Sequence, residues 1–220
     1  MIEIAIDGTS ASGKGTLAKK LSEKYAIPHL DTGLMYRKVA SEILKNKINY
    51  NNLSELSFQI AKASSFENLK NEELRAENIA QMASKIAVFP ALRNMLNLKQ
   101  KEFVNKSNEQ FGGCVLDGRD IGTKILPYAN FKFFIDASIE IRARRRLLEK
   151  NISFLHENDE ECMLQSLIEN MVKRDNIDRN RKDSPMVPAK DAYIIDTTSM
   201  NADQLLSIAT KLIEGNLSSN

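Results

Sequence analysis

Nine residues near the start of the chain constrain its fold more than any other segment. In order, they are Gly8, Thr9, Ser10, Ala11, Ser12, Gly13, Lys14, Gly15 and Thr16. The glycines let the backbone curl so that consecutive N–H groups point inward, and a helix that begins near Lys14 adds its positive end. This pattern predicts a loop that binds the phosphates of ATP, with Lys14 on the β- and γ-phosphates and the Thr16 hydroxyl on Mg²⁺.

Five short apolar runs each end in an aspartate and alternate with segments of helical spacing. The runs are Ile2–Asp7, Pro28–Asp31, Gly113–Asp117, Phe131–Asp136 and Tyr193–Asp196. Runs of this length are typical of buried strands, and strands that alternate with helices pair in parallel. The sequence therefore predicts an α/β fold, a P-loop-type parallel five-stranded sheet flanked by helices. Ligands of such sheets bind beyond the carboxyl ends of the strands. The simplest interpretation of Asp136 and Asp196 is that they end strands or cap helices.

Two regions do not fit this alternation. One is too long for a single crossover and is mostly helical in pattern; the other is polar, rich in arginine and interrupted by Pro185 and Pro188, which preclude a continuing helix. We predict a single domain over 1–220, with a core formed by three segments, an inserted substrate-binding subdomain and a mobile lid. The core comprises 1–36, 112–172 and 192–214. The insertion covers about 37–111, and the lid covers about 173–191.

Composition narrows the function classes. The net charge of +2 over 220 residues is too small to predict binding to nucleic acid or a membrane by bulk electrostatics. No signal peptide and no apolar stretch of bilayer-spanning length is visible. Cys114 and Cys162 could form one disulfide, but two scattered cysteines fit a reducing compartment better. We expect a cytoplasmic protein without nucleic-acid or membrane partners, and a monomer.

Arginines gather in two places after the predicted phosphate loop. Arg174, Asp178 and Arg181 have i, i+4, i+7 spacing and line one face of a helix, long enough to span a donor and an acceptor phosphate. Guanidinium forks suit the charge that spreads over a phosphoryl group during transfer. The alternative is an ordinary solvated helix with i, i+4 ion pairs.

The second place is a short segment after the third apolar run. Arg119 is placed to hold an acceptor phosphate, and Asp120 to accept from a base amino group. For Asp117, in the same segment, an alternative role is to orient magnesium-bound water through its carboxylate.

Six other basic residues lie outside these two places. Of the arginines on the helix after the fourth run, at most one or two can face a nucleotide, and no carboxylate or serine pattern recruits either histidine. We expect both histidines to be structural or exposed. The residues concerned are Arg142, Arg144, Arg145, Arg146, His29 and His156.

Together these motifs resemble the bacterial-type cytidylate kinases. Besides the phosphate loop, the resemblance rests on Leu30–Arg37, Phe89-Pro90 with Arg93, Asp117–Thr123 and Arg174–Arg181, and it runs from Ile2 to about Leu212. The form in which glycine follows Lys14 is closer to nucleoside monophosphate kinases than to GTPases. The chain also lacks the guanine-reading and switch motifs of GTPases.

The resemblance implies ATP and CMP or dCMP as substrates, Mg²⁺ as cofactor and a role for each matching residue. It assigns the CMP phosphate to Thr32, Arg37 and Arg119. It assigns cytosine to Ser84, Arg93 and Asp120. It assigns the sugar to Arg174 and Asp178, and the bridging of phosphates during transfer to Arg181. The groups expected to act in catalysis are Lys14, Arg119, Arg174 and Arg181.

The chain departs from the family pattern in two ways. Many members carry a β-hairpin in the insertion, but Ser64–Arg75 is too short and too polar for one, so we expect a trimmed, mostly helical insertion. Ile177 stands where the lid often has an arginine, which could slow transfer. The alternatives to CMP phosphorylation are a kinase for AMP or UMP, and an ATP-binding regulator that transfers nothing.

Overall fold

The computed structural model describes residues 1–45, 52–66, 69, 72–149 and 157–217. Its centre is one sheet of five parallel strands in the order β2-β3-β1-β4-β5. The strands are β1 (Ile2–Gly8), β2 (His29–Asp31), β3 (Gly113–Gly118), β4 (Phe131–Asp136) and β5 (Tyr193–Asp196). All five predicted strands are confirmed, to within a residue at each end.

Eight helices within the described ranges flank the sheet. They are α1 (Lys14–Tyr25), α2 (Thr32–Lys45), α3 (Leu53–Ala63), α4 (Glu77–Ile86), α5 (Pro90–Phe111), α6 (Ile139–Leu148), α7 (Glu157–Asn180) and α8 (Ala202–Leu217). Side chains alternate across β1, so that Ala5 joins a core with α2 to α5 while Ile4 and Ile6 join a core with α1 and α8. The sheet is thus covered on both faces, as parallel sheets require.

Local sequence signals account for several helix ends. The left-handed backbone of Gly13 (φ 97°) precedes α1, and Pro90 occupies the first turn of α5. At the start of α8, Asn201 and Gln204 each accept the other's backbone N–H, which forms a capping box.

The insertion after β2 is built from helices α2 to α5. Between α3 and α4 the structure describes a 3₁₀ turn at Glu72–Arg75, and no described residue of 64–75 lies in a strand. This agrees with the expected helical insertion.

The predicted lid is only partly a separate segment. Its first eight residues form the last two turns of α7, which ends at Asn180. The helix continues this far because both prolines lie beyond it, at Pro185 and Pro188. The boundaries of the insertion and the lid otherwise stay predictions.

Two further findings concern bulk properties. Within the described ranges, no helix combines the length and the apolar character needed to cross a bilayer. Both cysteines are free, with Cys114 buried in β3 and Cys162 exposed on α7.

Candidate active site

The phosphate-binding loop joins β1 to α1 at the carboxyl edge of the sheet and is held by its own side chains. The Thr9 hydroxyl donates to Asp136 Oδ1 (2.6 Å), and the Ser12 hydroxyl donates to the Thr9 carbonyl (2.9 Å). A Cβ on Gly8 would clash with the carbonyl of Ile135 on the neighbouring strand. The loop therefore has its shape before any ligand binds. Asp136 takes part in this, so its interpretation as a simple strand end was incomplete.

Two arginines of α6 support the loop from outside. Arg142 Nη1 donates to the carbonyl of Ser10, and Arg145 Nη1 donates to the carbonyl of Ser12 (both 3.4 Å). Arg142 also binds Asp175 Oδ2 on α7 (2.7 Å). These bonds hold two loop carbonyls in place from α6.

Lys14 is the first residue of α1, and its side chain turns back to the loop. Its Nζ donates to the Thr9 carbonyl (3.1 Å), a neutral partner. Removal from water, reinforced by the nearby charge of Arg119, lowers the pKa of Lys14 to about 7. A phosphate in the loop would supply the missing negative charge.

An acidic edge faces the loop on the α1 side of the sheet. Burial, and then the charge of Asp117, raise the pKa of Asp31. Asp117 is 3 % exposed, and its Oδ2 would lie 3.8 Å from a Cβ on Gly15. Thr16 is exposed on the first turn of α1. Carboxylate and hydroxyl oxygens of this kind suit Mg²⁺, and a cation here would relieve the repulsion between the two carboxylates.

His29 is not the unrecruited histidine that we expected. Its Nε2 lies 2.7 Å from Asp117 Oδ1. Burial alone would lower the pKa of His29, but the hydrogen bond and the charge of Asp117 raise it. The pattern was missed because the two residues are 88 positions apart. His156 lies outside the described residues.

Polar side chains of α4 and α5 are buried against the loop after β3, where the sequence predicts the base pocket. Arg93 is 2 % exposed; its Nη2 binds Asp120 Oδ2 (2.6 Å) and its Nη1 binds the Ala87 carbonyl (3.2 Å). Arg93 Nε and the hydroxyl of Ser84 are buried without a hydrogen-bond partner. Buried polar atoms without partners are rare in native proteins, and here they mark a place for a polar ligand.

Two further predicted acceptor residues lie on α2. The Thr32 hydroxyl donates to the Asp117 carbonyl (2.8 Å), and Arg37 Nη1 donates to the Leu74 carbonyl (2.9 Å). Burial, and then the charge of Arg174, lower the pKa of Arg37 to about 9. Arg37 thus has a neutral partner in a positive environment.

Three arginines converge on the single carboxylate of Asp178. Arg119 Nε is 3.0 Å from Oδ2, Arg174 Nε is 3.9 Å from Oδ2, and Arg181 Nη1 is 3.6 Å from Oδ1. Arg181 Nε and Nη2 are buried without a hydrogen bond. Burial lowers the pKa of both Arg174 and Arg181.

The burial of this cluster bears on the two interpretations of the arginine run. Asp178 is 4 % exposed, so the run does not form a solvated face, although the i, i+4 pair of Arg174 with Asp178 is present. The role of the run in binding phosphates stays a prediction. Arg179, by contrast, lies off this face, 51 % exposed, and pairs with Asp136.

The comparisons with known proteins agree with this geometry. The sequence model described as Cytidylate kinase matches residues 4–215. The chain belongs to the cytidylate kinase family. It is 39 % identical over 211 residues to the cytidylate kinase of Bartonella quintana (strain Toulouse), covering 96 % of this chain and 94 % of that protein. It is 40 % identical to that of Brucella suis biovar 1 (strain 1330), covering 96 % and 92 %.

Among solved structures, TT1252 from Thermus thermophilus superimposes with a TM-score of 0.50 at 16 % identity, covering 97 % of each chain. This likeness supports the fold. The resemblance to cytidylate kinases inferred from the motifs is thus confirmed.

One set of hydrogen bonds joins the predicted phosphate loop to the turn after Asp120, and the sequence did not predict it. Asp7, at the end of β1, accepts the backbone N–H groups of Ile121 and Gly122 (both 2.7 Å). Burial raises the pKa of Asp7 to about 7, although these two hydrogen bonds lower it. The residue before the phosphate loop therefore fixes the turn that follows Arg119 and Asp120.

Proposed function

We propose that this chain transfers the γ-phosphoryl group of ATP to CMP or dCMP, giving ADP and CDP or dCDP. The observation that carries the proposal is the junction of the polar pocket with the arginine cluster. Arg93, Asp120 and Ser84 are buried at one end, and Arg119, Arg174 and Arg181 share one carboxylate at the other.

The pocket chemistry suits the pairing edge of cytosine. Asp120 can accept from the exocyclic amino group, while Arg93 Nε and the Ser84 hydroxyl can donate to the ring nitrogen and the carbonyl oxygen. A base that lacks these partners would leave buried polar groups unpaired, which is a strong basis for discrimination.

The arginine cluster suits the phosphates. On our proposal, Thr32, Arg37 and Arg119 hold the CMP phosphate. Arg174 and Asp178 contact the sugar, and Arg181 bridges the donor and acceptor phosphates. The acceptor is already an anion, so the transfer needs positioning and charge neutralisation more than a general base.

Residues Gly8 to Thr16 hold ATP, with Lys14 on its terminal phosphates. The Thr16 hydroxyl and Asp117 are the groups that would hold Mg²⁺ and its water, and the bound ion neutralises charge on the β- and γ-oxygens. Closure of the lid over the site would exclude water, so that the phosphoryl group reaches CMP. We further propose a cytoplasmic monomer.

An ADP-release assay with ATP and Mg²⁺ tests the proposal against CMP, dCMP, UMP, AMP and GMP. Turnover is expected on CMP and dCMP and should fall about 10³-fold in Arg119→Ala. Arg144→Ala is the matched control, because Arg144 is exposed on α6 and should leave turnover unchanged.

Preferential turnover of AMP or UMP would contradict the assignment of the base pocket. ATP binding without transfer to any acceptor would instead favour the regulator.

A further inference from the structure

The pairing register of β2 and β3 gathers three ionisable side chains on one face of the sheet. Asp31 pairs in register with Asp117, so the two side chains point to the same face. His29 lies two residues before Asp31 and therefore shares that face. Leu30 and Leu116 point the other way, into the core with α2 to α5. The face that carries the three polar groups is the one under the start of α1.

On this face, the two oxygens of Asp117 have different surroundings. Oδ1 is 2.7 Å from His29 Nε2, whereas Oδ2 is the oxygen nearest to Gly15 of the phosphate loop. An ionised carboxylate only accepts hydrogen bonds, so Nε2 carries the proton and donates it. The side chain of Asp117 is 4 % exposed and that of His29 is 21 % exposed, so little solvent competes for this bond.

We propose that His29 is a positioning residue for Asp117: its hydrogen bond to Oδ1 fixes the carboxylate so that Oδ2 faces the phosphate loop and the divalent cation bound with ATP. The inference rests on the proposed function, because it assigns Asp117 to the cation that accompanies the donor. His29 itself touches neither nucleotide.

The reason that Asp117 needs such a partner is the neighbouring carboxylate. Asp31 stands beside it in the register, so two carboxylates face each other at this edge of the sheet. Without a donor on Oδ1, repulsion from Asp31 would turn the Asp117 carboxylate, and Oδ2 would no longer be fixed toward the cation. Groups that orient metal ligands in this way typically contribute about 10- to 100-fold to metal affinity.

The test exploits the reach of the amide side chains. In His29→Gln the amide nitrogen can occupy nearly the position of Nε2 and donate to Oδ1. In His29→Asn it is one bond too short to do so, and His29→Leu removes the donor altogether. The matched control is Lys19→Ala, because Lys19 carries a charge near His29 but is exposed and pairs with Glu23.

The first readout is Mn²⁺ binding to the protein saturated with a non-hydrolysable ATP analogue, measured by electron paramagnetic resonance without CMP. We expect about tenfold weaker Mn²⁺ binding in the Asn and Leu variants, binding within about twofold of wild type in the Gln variant, and no change in Lys19→Ala. The KM for CMP should stay unchanged in all four, and thermal melting confirms that each is folded.

Wild-type Mn²⁺ affinity in the Asn and Leu variants would overturn the inference, even if the chain phosphorylates CMP. Equal losses in the Gln and Asn variants, together with a raised KM for CMP, would also overturn it, since they indicate a general structural role. Failure of the proposed function would look different, as wild-type protein itself would turn over no CMP.

Discussion

The two ends of the site differ in how far their polar groups are satisfied within the protein. In the phosphate loop, Thr9 and Ser12 bind groups of the protein, and Arg142 and Arg145 occupy loop carbonyls. At the acceptor end, the Ser84 hydroxyl and nitrogens of Arg93, Arg174 and Arg181 are buried without a hydrogen-bond partner. The first end is held together by bonds within the protein, whereas the second leaves polar atoms without hydrogen bonds.

This contrast predicts opposite consequences of substitution. Changes at the satisfied end should cost stability together with activity, because they break internal bonds. Changes at the unsatisfied end should cost activity while stability stays the same or rises. This contrast can be tested by substitutions at the arginine cluster, at the base pocket, at Lys14 and at Ser84.

The largest effect is expected at Arg181. Replacing it by alanine removes a charge from a cluster that already holds three arginines around one carboxylate, so the melting temperature should stay or rise. Loss of an arginine that stabilises transfer should lower kcat by about 10³-fold. Steady-state kinetics and thermal melting measure both.

Arg179→Ala is the matched control, since Arg179 is exposed and off the cluster face. It should leave kcat within about twofold. A large loss of stability in Arg181→Ala would contradict the view that the cluster is strained without ligand.

The next effect is expected at the ion pair of Arg93 with Asp120 in the acceptor end. Asp120→Ala leaves the guanidinium of Arg93 buried without its carboxylate, which should destabilise the fold by about 3 kcal/mol. That corresponds to a fall of roughly 6–12 °C in melting temperature. It should also raise the KM for CMP about 100-fold, because the acceptor for the amino group is lost. Asp120→Asn keeps one oxygen acceptor and should recover most of the stability but not the KM.

At the donor end, the pKa of Lys14 predicts a pH dependence of ATP binding. In the free protein this pKa is about 7, and bound phosphates raise it, so binding above pH 7 takes up a proton. The affinity for ATP should therefore fall as pH rises from about 7, by up to tenfold per unit, until the pKa of the complex is reached. Calorimetry at pH 8 in buffers of different ionisation enthalpy should report uptake of nearly one proton.

Lys14→Arg keeps the charge but does not titrate in this range, so its proton uptake should vanish. Equal uptake in wild type and variant would assign the proton to another group.

The same two ends differ in how well the sequence predicts them. The loop and strand ends follow from contiguous residues and were predicted correctly. The i, i+4, i+7 spacing of Arg174, Asp178 and Arg181 is also local and predicted a shared helix face, although α7 ends at Asn180, one residue before Arg181. The bond of Asp7 to Ile121 and Gly122 joins residues 114 and 115 positions apart and depends on the sheet order. The end of α7 was missed because Pro185 and Pro188 lie in the second half of the predicted lid and do not prevent a helix over its first eight residues.

The smallest effect, and the sharpest contrast, is expected at Ser84. Its hydroxyl is buried without a partner, so Ser84→Ala removes an unsatisfied group and should leave stability unchanged or raise it by up to about 1 kcal/mol. The same change removes a donor from the base pocket, and the KM for CMP should rise by about tenfold, or 1.4 kcal/mol.

Ser57→Ala provides the opposite case, because Ser57 is also buried but its hydroxyl donates to the Ser54 carbonyl (2.8 Å). It should lower stability by about 1 kcal/mol and leave the KM for CMP unchanged. If both variants lose stability and neither changes the KM, the unpaired hydroxyl of Ser84 does not bind the base. The division between a satisfied and an unsatisfied end is then wrong at Ser84.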